Sequence, residues 1–326
     1  MTKTPNALFL VLFSIALFIG CKEDSYTPSQ IETSVYNTLL QQSDLSITLE
    51  AIEMAGLQNE LRQDNLTFFA PTDSAFKAYL QDLGVDSLSG LYNFYGAATF
   101  RNVMLYHLLE KKVKGMDVVN SYILTAATNS NGNNIHAYIT RIDKNISLNA
   151  FAASVSERDI EVGGSVIHKI DGVLSPLTLN GLIRVNPNFS KLKSAISKSQ
   201  GNLETILNQE NQVHTIFGPD DIAITAFLSG NGFTDWSDFA NSNSYNALNN
   251  LLQYHIISGE TQAPDLKNQT YNTLFTNHWI QIVKEESGAI NIQDEKGSSP
   301  AAGLKTTDIT AINGTIHVLN KVLEHN

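Results

Sequence analysis

The sequence predicts an α+β fold written twice in tandem. Three observations carry that expectation. First, "GGSVIHKIDGVLSP" at 163–176 and "INGTIHVLNKVLEHN" at 312–326 share small residues, an Ile-His pair and an alternating apolar run. Second, "LTFFAPTDSAFKAYL" at 66–80 recurs as "HTIFGPDDIAITAFL" at 214–228, and "VMLYHLLEKKV" at 103–113 recurs as "NLLQYHIISGE" at 250–260. Third, these blocks keep one order and a spacing of 148 or 149 positions. Solenoid units run to only about 20–50 residues, so the repeating object is a whole domain.

Each block has a readable local structure. In the first, a β-rich apolar run meets Pro71, which ends a strand, and Thr72 or Asp73 caps a helix whose apolar side begins at Ala75 and Phe76. Asp221 is expected to cap the equivalent helix before Ile224. In the second, Val103, Leu105, Tyr106, Leu108 and Leu109 are apolar on more than one side, as in a buried helix or helix end. The third alternates, with Val166, His168 and Ile170 on one face, and that period of two is a strand. "NSNGNN" at 129–134 marks a tight hairpin at Asn131-Gly132. Helices come first and strands later in each unit, hence α+β.

The amino terminus reads as an export signal. Lys3 is followed by an uncharged apolar run from Ala7 to Ile19, too short for the ~20 residues of a membrane span. Gly20 then precedes Cys21, the only cysteine of the chain, so no intrachain disulfide exists. The layout resembles a bacterial lipobox, with Phe18 in place of the usual leucine, and implies lipidation at Cys21. Lys22-Glu23-Asp24 resembles the surface-export signal of Bacteroidetes-type lipoproteins. The expected organisation is a signal peptide at 1–20, a tether at 21–33, and domains at 34–177 and 178–326. The expected location is an outer-membrane lipoprotein facing the cell exterior, held to lipid through Cys21.

Composition narrows the partners. Acidic residues number 32 against 21 basic ones, a net charge of −11 without any basic run, which argues against nucleic acid. No GxSxG elbow, Walker loop, GxGxxG fingerprint or HExxH appears, and Cys21 is reserved for acylation. No enzyme, no metal site and no cofactor is expected.

The ordered blocks Phe-Ala-Pro-Thr-Asp-x-Ala-Phe, Tyr-His, Asp-Ile and Gly-x-x-Ile-His, closing on Val-Leu, resemble the fasciclin (FAS1) domain, present in two copies after residue 33. Gly163 departs from the asparagine the family usually has, whereas Asn313 keeps it. The resemblance implies a β-wedge, sandwich-like, packed with several helices, and a role in adhesion. It also points to two candidate binding elements per copy: Asp159-Ile160 with Tyr106-His107, and Asp308-Ile309 with Tyr254-His255. Each has a plain structural reading beside it, an inward isoleucine or a core histidine. His168 and His317 are left between contacting the other histidine of their copy and facing solvent.

Ser74 and Ser87 lie in Asp-Ser-apolar sequences that resemble Bacteroidetes O-glycosylation acceptors. "LYNFYG" at 91–96 and Trp236 are dense in rings that would stack on sugar or fill a core. The functional expectation is a nonenzymatic surface adhesin for cell–cell, cell–matrix or biofilm contact, with a protein or glycan ligand. The alternative is a glycan-binding accessory lipoprotein of an outer-membrane uptake system.

Overall fold

In the computed structural model, which describes residues 33–326, the first copy runs through two short helices, α1 (Val35–Leu39) and α2 (Ser46–Met54), into strand β1 (Thr67–Pro71). Three helices follow, α3 (Asp73–Asp82), α4 (Leu88–Tyr95) and α5 (Ala97–Leu105). Then come the strands β2 (Leu108–Leu109), β3 (Ser121–Thr128), β4 (Asn134–Ile142), β5 (Asn145–Leu148), β6 (Ala153–Val162) and β7 (Ser165–Ile170). The second copy repeats the plan. It has α6 (Leu179–Val185), α7 (Ser190–Lys198), α8 (Leu203–Asn208), β8 (His214–Pro219), α9 (Asp221–Gly230), α10 (Trp236–Asn243) and α11 (Tyr245–Tyr254). Its strands are β9 (Ile256–Ser258), β10 (Thr270–Asn272), β11 (Trp279–Lys284), β12 (Ile290–Gln293), β13 (Ala302–Ala311) and β14 (Gly314–Leu319). Cys21 and the Lys22-Glu23-Asp24 run lie outside the described residues.

The two sheets have one topology. The strand order is β2-β1-β7-β6-β5-β4-β3 in the first and β9-β8-β14-β13-β12-β11-β10 in the second. One feature departs from a simple helices-then-strands layout. β1 and β8 lie among the helices in sequence, yet each inserts beside the last strand of its copy in parallel, with Phe69 opposite His168 and Phe217 opposite His317. A parallel pair needs a long connection, and the intervening helices and meander supply it. Because they are interior to the sheet, β1 and β8 are buried along their whole length, which explains their continuous apolar sequence.

Pro71 closes β1 as expected, and Thr72 is the cap of α3, accepting from the Ala75 N–H at 3.3 Å. Asp73 works at longer range. Its carboxylate accepts from the Ile47 N–H at 2.8 Å and the Ser46 hydroxyl at 2.7 Å, closing the start of α2, which has no cap of its own. In the second copy the cap is Asp220, bonded to the Ala223 N–H at 2.8 Å, and not Asp221. Asp221 takes the place of Asp73 and accepts from the Lys191 N–H at 2.7 Å at the start of α7. The adjacent acids thus divide two jobs that sequence alone assigned to one.

Each copy buries two apolar groups, one between helices and sheet and one inside the strand meander. Phe68, Phe76 and Phe100 anchor the first kind, and Phe69, Tyr106, Ile135 and Leu148 the second. Each such ring contributes about 1.5–3 kcal/mol of transfer free energy.

Residues 33–326 form one compact unit, so the copies are joined by more than a linker. The Asn131-Gly132 turn forms with Gly132 at φ 81°, and its flanking amides reach the other copy. Asn129, Asn131 and Asn133 all donate side-chain N–H groups to the Glu260 carboxylate. Nearby, the Thr310 N–H donates to His136 Nδ1 at 3.0 Å, and the Tyr122 hydroxyl donates to the Leu182 carbonyl at 2.8 Å. Hydrogen bonds to a charged acceptor are the stronger kind, and three asparagines supply four of them here.

Candidate functional site

The Tyr-His pairs are built into the interior. Tyr106 and Tyr254 are 1% and 0% exposed, and His107 and His255 are 0% and 4%. The Leu174 N–H donates to His107 Nε2 at 2.9 Å, so Nδ1 carries the proton and donates to the Val103 carbonyl at 2.9 Å. His255 repeats this with the Leu323 N–H at 2.9 Å and the Leu251 carbonyl at 2.8 Å. Each imidazole therefore pins the chain after the last strand to the helix end preceding it. Burial pushes both histidines down to about 4.

The tyrosine hydroxyls anchor the meander. Tyr106 donates to the His136 carbonyl at 2.8 Å and accepts from Asn149 Nδ2 at 3.2 Å. Tyr254 donates to the Trp279 carbonyl at 2.8 Å and accepts from the Glu295 N–H at 2.9 Å. These four side chains reach no partner without the fold opening.

His168 and His317 do neither of the things expected of them. Each stacks on the phenylalanine of the neighbouring strand, with ring centroids 5.5 Å apart at Phe69 and at Phe217. Each Nε2–H donates at 2.9 Å to a carbonyl, Val113 or Thr261, while Nδ1 accepts an N–H at 3.2 Å from Asp159 or Asp308. The histidine thus shapes the aspartate's backbone.

Those aspartates sit on bulges in β6 and β13, where the register to the last strand shifts. Asp159 has φ 60° and Asp308 φ 62°. A left-handed residue with a Cβ costs about 1–2 kcal/mol, and Asp and Asn tolerate it best. One carboxylate oxygen holds the loop beneath, accepting from the Gly115 N–H at 2.7 Å or the Ala263 N–H at 2.6 Å. The side chains still keep 34% and 33% of their surface in solvent. Ile160 is half-buried against the helical core, and Ile309 is 2% exposed.

The ground around each acid is also duplicated. Arg141 donates to the Met116 carbonyl at 2.6 Å, and Lys284 to the Pro264 carbonyl at 2.9 Å, so a cation borders each loop. In the first copy, Met116, which follows the Gly115 held by Asp159, is strongly exposed, and Arg158 Nε lies 3.9 Å from Asp159 Oδ2. Beside Asp308, a cleft of about 490 Å³ is lined by Pro264, Lys284, Ile290 and Leu304. At Asp308 the pattern is a carboxylate, a cation and an apolar rim, which suits noncovalent contact, and Asp159 shares the carboxylate and the cation. Among the described residues, no group of three or more His, Cys, Asp or Glu converges as metal ligands would.

The remaining expectations divide. Ser74 is exposed, with its hydroxyl 2.9 Å from that of Thr72, and exposed Ser87 caps α4 by accepting from the Gly90 N–H at 3.1 Å. Trp236 is 4% exposed and its Nε1–H donates to the Lys191 carbonyl, so its ring belongs to the core and offers no sugar platform. In "LYNFYG", Leu91 is buried and Phe94 is 62% exposed.

Three residues that matter were not singled out for what they do. Asn149 ties Tyr106, Glu260 receives the asparagine hairpin, and fully buried Asn313 accepts from the Leu179 N–H while donating to the Leu207 and Gln209 carbonyls. Only Asn313 had a signal, its contrast with Gly163.

A family model described as "Fasciclin domain" matches residues 43–176 and 187–325. "Transforming growth factor-beta-induced protein ig-h3" of Sus scrofa is 26% identical over 161 residues. A "Fasciclin-like arabinogalactan protein" of Arthroderma benhamiae is 24% identical over 309 residues. The matches take in 49% and 87% of this chain but 22% and 66% of those proteins' own lengths. Among solved structures, a FAS1 domain pair from the insect cell adhesion molecule fasciclin I aligns with a TM-score of 0.49 at 16% identity, over 89% of this chain and 96% of that one. With two family matches laid over two sheets of one strand order, the chain belongs to the fasciclin domain family, in tandem.

Proposed function

We propose that this chain is a lipid-anchored, surface-facing adhesion protein whose two fasciclin domains make noncovalent contacts at the Asp159 and Asp308 surfaces. One observation carries the reading. In both copies a strained, left-handed aspartate is held at the surface, a third in solvent, with Arg158 beside Asp159 and Lys284, Ile290 and Leu304 lining the cleft at Asp308. A residue kept in such a conformation twice, with its neighbours arranged to hold it, is a mark of use. Fasciclin domain proteins are generally nonenzymatic and bind other proteins or matrix ligands. Two weak sites on one chain raise avidity without any new contact.

Replacing both acids with asparagine separates contact from scaffold. Asn tolerates the left-handed conformation and keeps an oxygen for Gly115 and Ala263, so the melting temperature is expected to stay unchanged. Adhesion between cells displaying the Asp159→Asn, Asp308→Asn protein should fall by roughly tenfold or more, about 1.4 kcal/mol of binding. Undiminished adhesion would remove the aspartates from the interface.

The anchor belongs to the same reading and rests on the layout around Cys21. Cells fed a labelled fatty acid are expected to label the wild-type protein and not Cys21→Ser, which should leave the membrane fraction. An unlabelled wild type would refute the anchor and leave the Asp surfaces to be judged on their own assay.

A further inference from the structure

The repeat carries an asymmetry at the domain junction. Hydrogen bonds place the two copies in register: Tyr106 donates to the His136 carbonyl as Tyr254 does to that of Trp279. Likewise the Arg141 N–H donates to Asn120 Oδ1 as the Lys284 N–H does to Asn268 Oδ1. Hence His136 corresponds to Trp279, Tyr138 to Gln281 and Thr140 to Val283. The pairings Tyr122 with Tyr138 and Thr270 with Gln281 agree.

In the first domain this outward face is covered by the second domain. Tyr122 packs on that domain's helical core, His136 receives the Thr310 N–H, and Tyr138 is 2% exposed. In the second domain the same face is open among the described residues. Thr270, Trp279, Gln281 and Val283 are all exposed, with Trp279 at 39% and Val283 at 38%. A half-exposed Trp on a flat strand face is the residue type that anchors protein contacts.

The internal junction also says what covers such a face. The second domain offers Glu260 and Thr310 to the first, and the corresponding residues of the first domain are Lys112 and Glu161. Glu161 is exposed, with 48% of its side chain in solvent, and pairs with Lys112 and Lys114. Among the described residues, one chain therefore presents an open docking face at its second domain and, around exposed Glu161, the corresponding end of its first.

We infer that a second copy of this chain docks its first domain on the Trp279 face of the second domain, head to tail. Such a contact is heterologous and leaves a free face at each end, so it propagates. The asparagine clasp has no counterpart in the link between β10 and β11, residues 273–278, and Lys112 replaces its Glu260 acceptor. The contact between chains thus rests on Trp279 and is reversible, unlike the junction within a chain. For an adhesin, it would line up many Asp surfaces along one assembly; it stands whether or not those surfaces are the adhesive ones.

Sedimentation velocity on the full chain in density-matched detergent tests this. The wild type should sediment faster as concentration rises, without stopping at dimer. Trp279→Glu and, separately, Glu161→Arg should each weaken self-association at least tenfold while melting like the wild type, and Val283→Glu should act as Trp279→Glu does. An equimolar mixture of Trp279→Glu and Glu161→Arg should stop at dimer, since each supplies one intact face. A wild type that stays monomeric, variants that associate like it, a mixture that stays monomeric, or Glu161→Arg dimers formed through paired Trp279 faces would each overturn the inference.

Discussion

His255→Ala is expected to destabilise the protein by about 3–5 kcal/mol, combining an orphaned buried N–H with a cavity. The imidazole is the acceptor for the Leu323 N–H and the donor to the Leu251 carbonyl, with 4% of its surface exposed. Alanine leaves the Leu323 N–H buried without a partner and empties the ring's volume between α11 and the chain end. At this chain length a loss of that size lowers the melting temperature by roughly 10 °C. His255→Gln restores an acceptor and should recover a substantial part of the loss. Thermal melts of the three proteins decide it. If His255→Ala melts with the wild type, the histidine is not the pin described here.

His255 and its counterpart His107 are expected to make stability fall with acid. His107 and His255 are held neutral, with burial pushing them to about 4 from an ordinary value near 6.5. Their unfolded forms bind protons first as pH falls, so protons favour the unfolded state. The stabilisation from keeping them neutral is complete above pH 6.5 and is lost progressively as pH falls toward 4. Between pH 7 and pH 5 the pair should lose about 4 kcal/mol in urea titrations. The variant carrying His107→Gln and His255→Gln should show a flatter profile over that window. An unchanged slope in the variant would assign the acid sensitivity to other groups.

Much of this architecture was legible because it is repeated. A single Tyr-His or Ile-His means little, but the same pair at one offset, beside the same strand and cap signals, marks a domain copied whole. The strand ending at Pro71, the Asn-Gly hairpin and the α+β mixture follow from local chemistry acting on a few residues. The roles of the marked side chains did not follow, because they depend on contacts far apart in sequence. Asp221 looked like a helix cap, and only the fold brings Lys191 to it. Trp236 looked available to sugar, and only packing shows its indole N–H spent on a backbone carbonyl. His168 and His317 gave no sign that they hold an aspartate's N–H nine residues earlier. The junction was the least legible part, since nothing local ties three asparagines to a glutamate about 130 positions away.

The division of labour between buried histidines and surface aspartates is best tested by measuring adhesion and melting together on two proteins. Asp159→Asn with Asp308→Asn should melt like the wild type and adhere poorly. His255→Ala should melt early and, below its transition, adhere as well as the wild type. The opposite pattern, with adhesion intact in the asparagine pair and lost in folded His255→Ala, would contradict the account.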